Sequence, residues 1–221
     1  MRKLIAALLT VMLLMLVTSC YDTSYQGQDN GSAQKETKSD SDAQSAGNLT
    51  ELTEKTLPAK IVFADGREIS LELYPDLAPK TVKNFIKNAK SKFYNETIFH
   101  RVIEGFMIQG GGFDTDYNPK RVKKTVKGEF SDNGVENELS HTRGVLSMAR
   151  SDDFDSASTQ FFIVHSDSLY LDGQYAAFGR VTDGMDIVDE IAAAELLNNP
   201  PAGLKNVPKT QYVIDDILIL D

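Results

Sequence analysis

Residues 99–111 read Phe99-His100-Arg101-Val102-Ile103-Glu104-Gly105-Phe106-Met107-Ile108-Gln109-Gly110-Gly111, and this stretch decides how the rest of the chain is read. Two short apolar runs, Thr97 to Val102 and Phe106 to Gln109, have strand character. Polar residues sit inside them. Arg101 interrupts the first, and Gln109 follows two large apolar side chains in the second. Buried Arg and Gln are costly unless they find partners, so a ligand-binding groove is the natural reason to keep both.

Working outward, the same strand character returns on both sides. Order begins near Pro58. Ile61 and Phe63 alternate with other residues, Asp65-Gly66 signals a tight turn, and Ile69, Leu71 and Leu73 alternate again, which predicts a β-hairpin. The period changes over residues 78–93, where Ala78, Val82, Phe85, Ile86, Ala89 and Phe93 fall at helical spacing and Pro79 occupies the first turn. Lys80, Lys83, Lys87 and Lys90 then form a stripe that reads as a solvated helix face. Further β-like runs are Gly144 to Met148, Gln160 to Val164, Ala176 to Val181 and Tyr212 to Leu220, with a second helix over Met185 to Ala194. Many short strands with two helices predict a mainly β fold, a closed antiparallel barrel with the helices outside it.

Two more stretches have the density of residues 99–111. One is Gly144-Val145-Leu146-Ser147-Met148-Ala149-Arg150, continued by Ser158-Thr159-Gln160-Phe161-Phe162-Ile163-Val164. The other is Tyr170-Leu171-Asp172-Gly173-Gln174-Tyr175-Ala176-Ala177-Phe178-Gly179. Together with Ala78-Pro79-Lys80-Thr81-Val82-Lys83-Asn84-Phe85, they resemble the cyclophilin family in order and near its spacing, from about Pro58 onward. The resemblance implies an eight-stranded barrel capped by two helices, and prolyl cis-trans isomerisation without metal or cofactor. It implies that Arg101 is catalytic, that Gln109 binds a substrate carbonyl, and that Phe106, Met107, Phe162 and Leu171 form the proline pocket. Ala149 and Arg150 would offer backbone groups to an extended peptide, and Gln160 would help line the groove. Tyr170 and Tyr175 stand where the best-known eukaryotic members carry Trp and His. Both keep an aromatic wall, so the changes bear on inhibition by cyclosporin and on rate.

Taken singly, these residues read more blandly. Phe106, Met107 and Phe162 would be core, and Arg101 a structural ion pair. The joint pattern overturns that. His100 and His141 read as structural, and His165 as a strand-end residue. Gly110-Gly111-Gly112 lacks the Lys-Ser/Thr of a phosphate loop and reads as a turn. Asp152, Asp153 and Asp155 miss the calcium-loop spacing and read as a solvated loop.

The other end of the chain reads as an address. Arg2 and Lys3 precede an apolar run from Leu4 to Val17, broken only by Thr10. That run is short for a membrane span, which needs about 20 residues, and suits a signal peptide. Val17-Thr18-Ser19-Cys20 resembles the bacterial lipobox, so residues 1–19 are expected to be removed and Cys20 to carry lipid. Residues 21–57 are polar and aperiodic, and read as a flexible tether averaging roughly 30–37 Å end to end. The domain is then residues 58–221, monomeric, held outside the cytoplasm against a bacterial membrane, and acting on proline-containing unfolded or secreted polypeptides.

Composition narrows the alternatives. The chain's 221 residues carry a formal charge of −9. Such acidity argues against nucleic acid and against simple attraction to anionic lipid. Cys20 is the one cysteine, too few for an internal disulfide or a thiolate zinc site. A lipid-anchored chaperone that grips proline segments with little turnover is the rival reading. Retention of Arg101 and Gln109 favours an enzyme. A hydrolase lacks a coherent nucleophile–base pair in the sequence.

Overall fold

The computed structural model describes residues 55–220. The expected signal segment, Cys20 and the expected tether up to residue 54 lie outside the described residues. Among the described residues there are nine strands: β1 (Leu57–Phe63), β2 (Glu68–Leu73), β3 (Thr97–Ile98), β4 (Arg101–Ile103), β5 (Met107–Gly110), β6 (Val145–Met148), β7 (Phe161–Val164), β8 (Ala177–Asp183) and β9 (Val213–Ile219). The α-helices among them are α1 (Pro79–Lys90) and α2 (Met185–Ala192).

The predicted hairpin forms as its alternation dictates. Ala59, Ile61 and Phe63 of β1 and Ile69, Leu71 and Leu73 of β2 are buried, with Ile61 opposite Ile69. Gly66 adopts a φ of +86° in the turn, a value that favours glycine. Helix α1 buries Val82, Phe85 and Ala89, but Ala78 at its N-cap has no side-chain acceptor. Glu129 supplies one from elsewhere in the chain. Its carboxylate accepts from the backbone N–H groups of Lys80 (3.0 Å) and Thr81 (2.8 Å) and from the Thr81 hydroxyl (2.7 Å). This buried carboxylate takes over the orphan donors and faces the positive end of the helix dipole.

All strand pairs are antiparallel, in the order β3-β9-β1-β2-β8-β6-β7-β5-β4. The expected closed eight-stranded barrel is therefore not what forms. The sheet is an open, curled half-barrel of nine strands, because the expected strand Thr97 to Val102 breaks in two. Across the break the chain changes partner: Phe99 N–H donates to Tyr212 O (3.1 Å), while His100 N–H donates to Gln109 O (3.0 Å). β3 and β4 become the two edges. Residues 206–212 bridge the gap through separate bonds, such as Val102 N–H to Asn206 O (2.9 Å), and not through a ladder.

The core centres on Phe161, which is fully buried. Phe85, Tyr94 and Phe99 meet it nearly edge-on, with ring centroids 5.5, 5.6 and 6.0 Å away. Edge-to-face packing of this kind adds to area burial. It also fixes β7, whose next residue, Phe162, faces the opposite side of the sheet.

Candidate active site

Strand pairing assembles the site. Arg101 on β4 lies opposite Gln109 on β5, and Gln109 lies opposite Phe162 on β7. The residues flagged at 99–111 thus meet across two adjacent ladders. The guanidinium Nη1 of Arg101 donates to Gln109 Oε1 (3.2 Å), and Gln109 Nε2 donates to Gln160 Oε1 (2.8 Å). Each amide is oriented by its neighbour, so the Arg101 side chain is held in place by a relay. Gly112 allows Gln160 to sit there, since a Cβ at Gly112 would collide with the Gln160 side chain.

Beside this polar edge is an apolar floor. Met107, Phe162 and Leu171 are buried, and Phe106 is half-buried against them. A groove of about 280 Å³ opens above, lined by Arg101, Phe106, Met107, Gln109, Ala149, Arg150, Phe162, Leu171 and Tyr175. Of the candidates named from sequence, two lie just outside it. Gln160 stands one hydrogen bond behind Gln109. Tyr170 is 64% exposed on the rim, its ring 5.9 Å from that of Phe106.

Ala149 departs from the expectation in one respect. Its N–H donates to Gln160 O (2.9 Å), so only its carbonyl remains for a ligand. Arg150, next along, makes no backbone–backbone hydrogen bond among the described residues. Its guanidinium is clamped among the rings of Tyr175, Phe154 and Phe130, at 4.7, 4.8 and 5.4 Å from their centroids. Its Nε donates to Gln174 O (2.9 Å), tying β6 to the loop that carries Leu171 and Tyr175.

Two of the histidines, His100 and His141, are buried. Burial pushes His100 down to about 4, and the nearby Arg101 charge adds to this, against hydrogen bonds with Ile98 and Gln160. Burial also lowers His141, opposed by Asp172. Both rings are therefore neutral at pH 7. His141 Nδ1–H donates to Asp172 Oδ1 (2.8 Å), and its Nε2 accepts from the Ser147 hydroxyl (2.9 Å). The sequence showed no nucleophile–base pair, yet here is a Ser–His–Asp line. Ser147 is fully buried, so no substrate carbonyl can reach it. The line instead braces the site: the His141 ring stacks at 17° on Phe162, with centroids 6.1 Å apart.

Residues 59–217 match the family described as cyclophilin type peptidyl-prolyl cis-trans isomerase/CLD. Peptidyl-prolyl cis-trans isomerase A of Dickeya dadantii is 46% identical over 157 residues, covering 69% of this chain and 79% of that protein. Peptidyl-prolyl cis-trans isomerase B of Escherichia coli is 42% identical, covering 69% of this chain and 93% of that one. Among solved structures, a cyclophilin type peptidyl-prolyl cis-trans isomerase of Cryptosporidium parvum superposes with a TM-score of 0.62 at 28% identity. That match covers 76% of this chain and 99% of the other.

Proposed function

This chain belongs to the cyclophilin-type peptidyl-prolyl cis-trans isomerases and is an enzyme of that class, and from that premise we propose that it works by electrostatic stabilisation of a twisted X-Pro imide at Arg101. Resonance gives the peptide bond its torsional barrier of about 18–20 kcal/mol. Twisting the imide removes that resonance and returns a lone pair to the proline nitrogen. A fixed cation beside the nitrogen stabilises the twisted form more than either planar form, which is what lowers the barrier. Arg101 is a permanent cation with several donors and is unsuited to giving up a proton. The proline ring rests on Phe106, Met107, Phe162 and Leu171, while Gln109 holds a flanking carbonyl.

The observation that carries this reading is the juxtaposition of Arg101 and Gln109, backed by Gln160, with an apolar floor in a single groove. Arg101→Ala is expected to lower kcat/KM on a proline tetrapeptide by roughly 10²–10³, the scale of one lost electrostatic donor. Arg101→Lys is expected to rescue only partly, because an ammonium is a point charge without the planar fork. A protease-free isomerisation assay checks both. Near-normal turnover by the alanine variant removes Arg101 from the mechanism.

We also propose that the enzyme acts outside the cytoplasm on unfolded or secreted polypeptides, held to a bacterial membrane by lipid on Cys20. The support is the apolar run Leu4 to Val17 ending at Val17-Thr18-Ser19-Cys20. Cys20→Ser is expected to abolish incorporation of labelled fatty acid; undiminished labelling refutes the assignment.

A further inference from the structure

Opposite charges are unevenly distributed over this acidic chain. Helix α1 has no Asp or Glu, and Lys80, Lys83 and Lys87 recur along it at spacings of three and four residues. Residues 120–127 read Lys-Arg-Val-Lys-Lys-Thr-Val-Lys, again without an acid. Val126 bridges to Ala157, and this segment comes to lie beside α1. Between them runs a groove of about 460 Å³, larger than the one at Arg101, walled by Lys80, Lys83, Lys87, Lys124 and Lys127.

None of these five ammonium groups has a carboxylate within ion-pair distance among the described residues. Two acids lie near one end of the lysine set: both are hydrogen-bonded to other groups, and Asp155 also feels the charges of Lys127 and Lys80, which leaves Lys83, Lys87 and Lys124 as the uncompensated part. Glu129 caps α1, and Asp155 accepts from Gly128 N–H (3.0 Å) and from Asn133 Nδ2 (2.8 Å). Like charges one turn apart on a helix repel one another. The site thus concentrates positive potential on a chain whose net charge is −9.

From this geometry we infer that the lysine groove is a docking face for an anionic lipid bilayer, taking headgroup phosphates. A cluster of four to eight basic residues is the usual requirement for such a surface. The cations in the groove are all lysines, compact charges on flexible stems that suit a diffuse anionic layer better than bidentate recognition of one phosphate. Among the described residues, no aromatic side chain lines the groove to stack a base, and no Tyr, Trp or Arg is there to anchor a protein partner. The net acidity that argues against lipid attraction is an average, and this face is its exception.

The test is vesicle flotation of the domain from residue 55 onward, which bypasses any lipid on Cys20. The curated Escherichia coli relative is little longer than the region it matches, so a chain of about this extent folds without what precedes it. Vesicles of phosphatidylglycerol and phosphatidylcholine in equal parts are compared with phosphatidylcholine alone. Binding to the anionic vesicles is expected to be at least about tenfold tighter, and to fall steeply as salt shortens the Debye length. Lys83→Glu/Lys87→Glu/Lys124→Glu is expected to remove at least about tenfold of that binding, with isomerisation of a proline tetrapeptide unchanged as proof of fold. Equal partition onto the two vesicle types overturns the inference. So does a triple variant that floats as well as wild type, and so does tighter binding to duplex DNA than to the anionic vesicles.

Discussion

His100 should make this domain sensitive to mild acid, and the size of the effect follows from its burial. The ring is 3% exposed, lies 4.6 Å from Phe113 by centroid, and leaves Nδ1 without a hydrogen-bond partner among the described residues. Its pKa falls from 6.5 to about 4. Below pH 6.5 the unfolded chain takes up a proton at this position and the native protein does not. Stability contributed by the neutral ring is therefore intact above pH 6.5 and is lost as pH falls from there to about 4. Linkage puts the loss at about 2 kcal/mol by pH 5 and about 3 kcal/mol by pH 4. For a domain of this size the pH 5 figure corresponds to roughly 4–8 °C in Tm. Carboxylates and His141 also titrate on the way down, so wild type must be measured against His100→Gln, in which they are unchanged. The glutamine is neutral throughout. It costs something at every pH through lost stacking, but that cost is constant. Urea denaturation at pH 7, 5 and 4 should show the two curves converging by about 2 kcal/mol between pH 7 and 5, as wild type alone loses the His100 contribution. Parallel curves would mean that His100 protonates in the native state, and that the argument from burial is wrong.

Two further expectations rest on single contacts. Glu129→Gln replaces a carboxylate that satisfies three donors at the start of α1, and should cost about 2 kcal/mol in chemical denaturation with little change in turnover, since it lies outside the Arg101 groove; a loss below about 0.5 kcal/mol would show that water caps the helix equally well. Tyr170, exposed on the groove rim, lacks the indole N–H with which Trp-containing family members grip cyclosporin, so inhibition should be weaker by roughly 5–150-fold and Tyr170→Trp should restore it; wild type inhibited as strongly as the Trp variant would refute that reading of the rim.

The fold was legible wherever the information is local. The alternation through Ile61, Phe63, Ile69, Leu71 and Leu73 and the helical period from Val82 to Ala89 produced the expected elements, because each depends on a face that neighbouring residues define. The break at Phe99-His100 was not legible. Its cause is a change of partner from β9 to β5, and neither partner is near in sequence. The cap on α1 was hidden for the same reason: Ala78 has no oxygen to offer, and the residue that replaces it lies 48 positions beyond Thr81. At the groove, Arg101 and Gln109 could be singled out because polar side chains in apolar runs are conspicuous. The bond between Asp172, His141 and Ser147 could not, since each residue taken alone is unremarkable. The basic wall built by Lys124 and Lys127 did leave a trace, an acid-free run at residues 120–127, but its meaning appears only beside α1.

The position of β9 has a consequence for how the enzyme is made. It lies between β3 and β1 in the sheet, yet follows both by most of the domain's sequence. During synthesis, β1 and β3 emerge early; β1 waits with one edge unpaired and β3 with no strand partner, the condition in which strands adhere to other chains. The pairing that relieves them is the most non-local in the domain, and non-local pairing is slow. Residues 213–219 therefore act as a closing clasp. Until they arrive, this isomerase is itself an unfinished chain, dependent on whatever shields its open edges from its neighbours.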